Sequence, residues 1–77
     1  MNGITATNRT NLLRTFTDMN FSQSAKHETM LLFGSIKTHS EKEEAAKRAI
    51  PLVKACKTEK EAIEAVSKVI EQMVAEE

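Results

Sequence analysis

The fold is decided by the stretch 58-TEKEAIEAVSKVIEQMVAE-76, which has the pattern of a capped amphipathic helix. Apolar residues recur in it every three or four positions, as one face of an α-helix requires. They are Ala62, Ile63, Val66, Val69, Ile70, Met73 and Val74. Thr58 and Glu61 have the spacing of a capping box, in which each side chain accepts a hydrogen bond from the other residue's backbone amide. The sequence therefore predicts a helix over residues 58–76.

The same helix carries a possible contact seam for a partner. Ile63, Val66, Ile70 and Met73 follow one another at steps of three, four and three residues, which is a short heptad pattern. The remaining apolar residues make the stripe wider than a two-stranded coiled coil needs. On the opposite face, the spacing of Glu64 and Lys68 predicts an i,i+4 ion pair. The helix is thus predicted to serve both the protein's own core and a partner.

A first helix is predicted over residues 8–19, with Thr7 or Asn8 as its N-cap. Its apolar residues at helical spacing are Leu12, Leu13, Phe16 and Met19. The polar sequence Asn20-Phe21-Ser22 then interrupts the pattern and ends this helix.

A second helix is predicted over residues 24–37, with Ser22 or Ser24 as its N-cap. It has the most apolar sequence of the helices, so it is predicted to be the most buried. Gly34 could end it at a left-handed C′ position. Because Ile36 keeps the helical period, we predict instead that the helix continues through Gly34, where the missing Cβ would let another backbone approach.

A third helix is predicted to begin at Ser40, which forms a capping-box pattern with Glu43. Pro51 lacks the backbone amide that a helix interior needs and crowds the preceding turn. Two outcomes are consistent with it: the helix kinks at Pro51, or it stops near Ala49 and Pro51 starts a new piece.

These segments predict an all-α protein, a small bundle of three to four short amphipathic helices. Residues 1–7 are predicted to be a flexible lead and residues 8–77 a single helical domain. A chain of 77 residues buries only a modest core, so part of its stability is expected to come from a partner or from self-association.

The composition limits the binding partners and the cellular compartments that are expected for this protein. The formal net charge is zero, so the basic excess that favours nucleic acid or anionic membranes is absent. No stretch is apolar enough for a membrane span or a secretory signal, and a single cysteine suits a reducing compartment. We therefore expect a cytoplasmic protein with no membrane partner.

Residue types suited to catalysis or metal binding are few. His27, His39, Glu28 and Cys56 lack the spacings typical of metal sites, so no metal or other cofactor is expected. Cys56 is predicted to be structural, although neighbouring lysines could lower the pKa of its thiol and make it reactive. With no glycine-rich phosphate loop and little room for a closed cleft, an enzyme is not expected.

The sequence favours a small protein-interaction module, a regulator, inhibitor or adaptor that binds another protein and self-associates as a homodimer. The residues expected to make the contacts are Ile63, Val66, Ile70, Met73, Leu12, Leu13 and Phe16. The alternative is a small DNA-binding regulator of helix-turn-helix type, since the first three predicted helices are short and closely spaced. Their exposed residues offer few groups for contacts with bases.

Overall fold

A computed structural model describes residues 7–75, and this part of the chain forms four α-helices and one 3-10 turn. The α-helices are α1 (Asn8–Asp18), α2 (Gln23–Leu32), α3 (His39–Lys54) and α4 (Glu59–Ala75), and the 3-10 turn covers Phe33–Ser35. Helix α3 packs against α1 and α4, and α2 packs mainly against α4. The predicted all-α bundle is confirmed. The predicted lead lies outside the described residues except for Thr7, and so does Glu76.

The turn between α1 and α2 is set by a local sequence signal. Asn20 has a positive φ of 62°, a conformation that asparagine tolerates better than most residues. The amides of Asn20 and Phe21 donate to the carbonyls of Thr17 and Phe16, which is the Schellman arrangement at a helix end. The rings of Phe16 and Phe21 meet edge to face, with their centroids 5.4 Å apart. The C-terminal end of α1 is therefore stabilised both by hydrogen bonds and by an apolar contact.

Helix α2 begins as predicted but ends earlier. The Ser22 hydroxyl accepts from the Ala25 amide and caps it. The α-helix stops at Leu32, and the prediction of a helix continuing through Gly34 is wrong. Gly34 lies in the 3-10 turn, and a Cβ on it would meet no atom within 4 Å, so no backbone approaches it. The chain leaves the helix because extended Ile36 must turn into the core, where it is 3% exposed.

The N-cap of helix α3 lies two residues earlier than the predicted N-cap Ser40. It is Thr38, whose hydroxyl accepts from the Glu41 amide at 3.2 Å, so the predicted Ser40–Glu43 capping box is wrong. The Glu43 carboxylate instead accepts hydrogen bonds from residues of α1. The helix then runs through Pro51 to Lys54 without a break, which excludes one of the two alternatives, the stop near Ala49.

Helix α4 has the predicted cap. The Thr58 hydroxyl accepts from the Glu61 amide, and the Glu61 carboxylate accepts from the Thr58 amide, both at 3.2 Å. Its inward face is the predicted stripe, with Ala62, Val66, Val69, Ile70 and Met73 buried. The capping box and the apolar periodicity together account for this helix.

The buried residues form a single hydrophobic cluster that draws on all four helices. Leu12 and Phe16 come from α1, and Val53 and Val66 come from α3 and α4. Three alanines of α3 are also buried, which brings the backbone of α3 close to its neighbours. They are Ala45, Ala46 and Ala49.

Two glutamates from α3 and α4 bind the starts of α1 and α2. The Glu43 carboxylate accepts hydrogen bonds from the Asn8 amide and the Arg9 side chain, both at 2.7 Å. The Glu59 carboxylate accepts from the amide and the hydroxyl of Ser22, both at 3.0 Å. Both carboxylates therefore satisfy backbone donors at helix starts, which have no partner within their own helices.

The contacts of Glu43 change the pKa of its carboxyl group. Partial burial on its own raises the pKa of Glu43, but the hydrogen bonds from Arg9 and Asn8 and the Arg9 charge outweigh it. The pKa is lowered overall from the ordinary 4.5. The folded state thus favours the ionised form, and the resulting stability is present at neutral pH and lost as the pH falls through the folded-state pKa.

We predict that Glu43→Gln lowers the unfolding free energy by about 1.5–3 kcal/mol at neutral pH, because it removes charge-assisted hydrogen bonds from a part-buried site. The deficit should shrink as the pH is lowered from neutral through the reduced pKa of Glu43, because wild-type Glu43 then becomes protonated itself. Urea unfolding across this pH range measures both effects. Glu44→Gln is the matched control. It breaks only the exposed pair with Arg48 and should cost less than about 0.5 kcal/mol. Equal losses for the two variants would contradict the assigned role of Glu43.

Thr29 in α2 is fully buried, and its hydroxyl has no hydrogen-bond partner. We predict that Thr29→Val raises the unfolding free energy by about 1 kcal/mol, because it replaces an unsatisfied polar group with a methyl group of the same shape. Thr15→Val is the control, since the buried Thr15 hydroxyl donates to the Asn11 carbonyl at 2.9 Å. That variant should be neutral or destabilising. Thermal and urea unfolding compare the two variants with wild type. A Thr29→Val variant that is less stable than wild type would refute the prediction.

Candidate protein-binding surface

The structure places most of the predicted contact residues inside the protein's own core. Leu12, Phe16 and Val66 are fully buried, and Ile70 and Met73 are only 5% and 7% exposed. Leu13 and Ile63 are half-buried. A partner docking on the folded chain therefore meets only Leu13 and Ile63 from this set.

Other large apolar side chains reach the surface. Leu31 on α2 is 65% exposed, Leu52 on α3 is 46% exposed, and Val74 on α4 is 40% exposed. Sequence reasoning missed Leu31 and Leu52 as surface residues. Leu52 is immediately followed by Val53, which is fully buried, so only the exact orientation of α3 determines which of the two side chains faces solvent.

A surface groove lies between the end of α3 and α4, with a volume of about 380 Å³. We call it the α3–α4 groove. Its lining residues are Leu52, Cys56, Glu61, Glu64, Ala65 and Lys68. The apolar part comes from Leu52, Cys56 and Ala65, whereas charged side chains of both signs come from α4. Such a mixture of apolar and charged groups is typical of protein-binding surfaces rather than of closed ligand pockets.

A second groove, the α2–α4 groove, lies on the other side of Glu64 and has a volume of about 400 Å³. Its lining residues are Glu28, Glu59, Lys60, Ile63 and Glu64. Ile63 is its one apolar side chain, and Glu59 is already bonded to Ser22. This groove therefore offers somewhat less apolar area to a partner than the α3–α4 groove.

The charges beside the α3–α4 groove are not paired with each other. Among the described residues, ion pairs join Arg9 to Glu43 and Arg48 to Glu44. The predicted pair between Glu64 and Lys68 is not formed, so that prediction is wrong for the folded chain. Both side chains are exposed and solvated, and an exposed i,i+4 pair contributes too little to hold them together.

Cys56 lies in the α3–α4 groove and is half-buried. Its thiol donates to the Leu52 carbonyl at 3.1 Å. Burial raises the pKa of the Cys56 thiol above the ordinary 9.0, and the negative charge of Glu61 raises it further. The suggestion that nearby lysines lower this pKa is therefore wrong, because Glu61 and burial dominate the surroundings of the sulfur.

The two histidines lie on different helices. His27 is exposed on α2, and His39 is the first residue of α3. The His39 Nδ1 atom is 2.9 Å from the Arg9 guanidinium. Within residues 7–75, no three histidine, cysteine, aspartate or glutamate side chains come close enough to share a metal ion. In the same range no helix combines the length and the apolar character needed to cross a membrane.

The surroundings of Cys56 predict that its thiol is alkylated slowly in the folded protein. At pH 8 the folded protein should react with iodoacetamide more slowly than the urea-unfolded chain, because less of the thiol is ionised and it is half-buried. Mass spectrometry of the alkylated protein over time measures both rates. Faster reaction of the folded protein would mean that the thiol is activated and would contradict the raised pKa.

Comparison of the chain with protein-family models, with curated proteins and with solved structures found no match. The geometry of the surface is therefore the basis for the function proposed below.

Proposed function

We propose that this protein is a small, non-catalytic protein-interaction module that acts in the cytoplasm as a regulator, inhibitor or adaptor by binding another protein. The observation that carries the proposal is the exposure of Leu31, Leu52 and Val74 on a domain whose core is already filled by other residues. Because these side chains are not needed for the core, they are available for contact with a partner.

The electrostatics of the surface support a protein partner over nucleic acid. The chain has 11 basic and 11 acidic residues, and the α3–α4 groove contains two carboxylates and one lysine. Phosphate groups would be repelled by Glu61 and Glu64. The chain between α2 and α3 also contains a 3-10 turn and extended Ile36, which is unlike the tight turn of a helix-turn-helix. On the surface formed by residues 7–75, no feature specifically favours the DNA-binding alternative.

We expect Leu31→Ser, Leu52→Ser or Val74→Ser to abolish capture of a partner while leaving the fold intact, because each side chain is substantially exposed. Tagged wild-type protein and the three variants would be used to retain proteins from an extract of the cells that make this chain. Mass spectrometry would identify what is retained, and circular dichroism would check each fold. Gln72→Ser is the control, since Gln72 is exposed and polar on α4.

The proposal is supported if one retained protein, which can be an untagged copy of the chain, is lost with one of these variants and kept with Gln72→Ser. It is overturned if retention is the same for all variants. Gel shift on random duplex DNA at low salt tests the alternative, because a DNA-binding regulator should bind and then lose binding as the salt concentration rises.

A further inference from the structure

We propose that α2 is a lid on α4, which detaches as a unit while α1, α3 and α4 stay packed together. In the closed form α2 covers one apolar side of α4, and in the open form that side is free. The opening is a property of the fold alone, whereas its use in controlling access for a partner rests on the proposed protein-binding function.

Few apolar contacts hold α2 in place. Helix α3 packs against both α1 and α4, whereas α2 packs mainly against α4. Of the 10 residues of α2, Ala25 and Thr29 are the buried ones, and Met30 and Leu32 are only partly buried. Burial of so little apolar surface contributes little to the closed form. The unpaired Thr29 hydroxyl opposes closure, because it recovers hydrogen bonds to water when α2 opens.

The hydrogen bonds between the start of α2 and α4 lie at the surface. The Glu59 carboxylate accepts from the amide and the hydroxyl of Ser22, both at 3.0 Å. Exposed contacts of this kind contribute little, because water replaces them when they break. By contrast, Glu43 holds α1 on α3 through part-buried hydrogen bonds at 2.7 Å. Helix α2 is therefore held more weakly than α1.

The chain is anchored on both sides of α2. Before it, the ring of Phe21 meets that of Phe16 edge to face. After it, the 3-10 turn begins at Phe33, which is 3% exposed, and Ile36 follows in the core. The hydrogen bonds of a 3-10 turn have poorer geometry than those of an α-helix, so the turn is suited to act as a hinge. Helix α2 can thus open between Phe21 and Phe33 while both anchors remain in place.

The side of α4 beneath α2 belongs to its apolar stripe. Ile63 lines the α2–α4 groove together with Glu28 of α2 and Glu59 of α4. Glu59, Ile63 and Val66 follow one another at steps of four and three residues, which places them along one side of the helix. Val66 is fully buried in the closed form. Opening of α2 therefore exposes part of the contact seam that the closed form hides.

Native-state hydrogen exchange of the full chain at neutral pH, resolved by residue with NMR, tests the lid. A helix of 10 residues is not stable in water without its support, so opening unwinds α2 and exposes its amides. After correction for intrinsic exchange rates, we expect the α2 amides to exchange at least about tenfold faster than the most protected amides of α3 and α4.

Four variants separate opening of α2 from unfolding of the whole chain. Glu43→Gln should speed exchange in α3 and α4 but not in α2, because Glu43 keeps its contacts when α2 opens. Glu59→Ala removes the carboxylate bound to Ser22 and should speed exchange in α2 several-fold. Thr29→Val removes the unpaired hydroxyl and should slow it about fivefold. Glu71→Ala is the matched control for Glu59→Ala, since Glu71 is exposed on the same helix, and it should leave exchange in α2 unchanged.

The lid is overturned if α2 exchanges as slowly as α3 and α4, or if Glu43→Gln speeds exchange equally in all three helices, because α2 then opens only when the whole chain unfolds. Exchange in α2 that neither Glu59→Ala nor Thr29→Val changes overturns it as well. These results are independent of the proposed function. A partner bound by the exposed leucines is captured whether or not α2 opens, and failure of capture leaves the opening of α2 intact.

Discussion

The bundle depends on carboxylates from its C-terminal half that bind helix starts in its N-terminal half. Glu43 on α3 accepts from Asn8 and Arg9 at the start of α1, and Glu59 on α4 accepts from Ser22 at the start of α2. The first turn of a helix has amides without partners and a positive dipole end, and both favour a carboxylate. These two contacts set α1 beside α3 and α2 beside α4, and the apolar side chains fill the space between them.

This arrangement leaves one side of α4 without a covering helix. The inward face of α4 is occupied by α2 and α3, while Glu64 and Lys68 remain on its outer side. Leu52 reaches the same surface because the last turns of α3 extend alongside α4. The candidate site is therefore a consequence of how the helices meet, and not of a separate motif.

Within residues 7–75, the core contains one exception to otherwise complete hydrogen bonding of buried side-chain polar atoms. Thr29 lies among apolar residues of the core with its hydroxyl unpaired, while the Thr15 hydroxyl bonds to its own helix. An unpaired buried hydroxyl costs about 1–3 kcal/mol, which is a large share of the unfolding free energy of a small domain. Helix α2, which carries Thr29, is also the shortest α-helix in the described part of the chain and ends in a 3-10 turn. Ala25 and Thr29 are its buried residues, compared with five in α4, so the prediction that this helix is the most buried is wrong.

The sequence by itself determined the helices, because their signals are local. The Thr58–Glu61 capping box and the three-to-four spacing of Val66, Ile70 and Met73 act within one segment, so α4 was predictable. Tertiary structure alone decided the rest. Glu43 has the spacing to cap its own helix, yet it binds α1, because only folding brings Asn8 and Arg9 to it. Folding likewise buried most of the predicted contact stripe and turned Leu52 outward. Periodicity shows which face of a helix is apolar, but contacts between helices decide what that face meets.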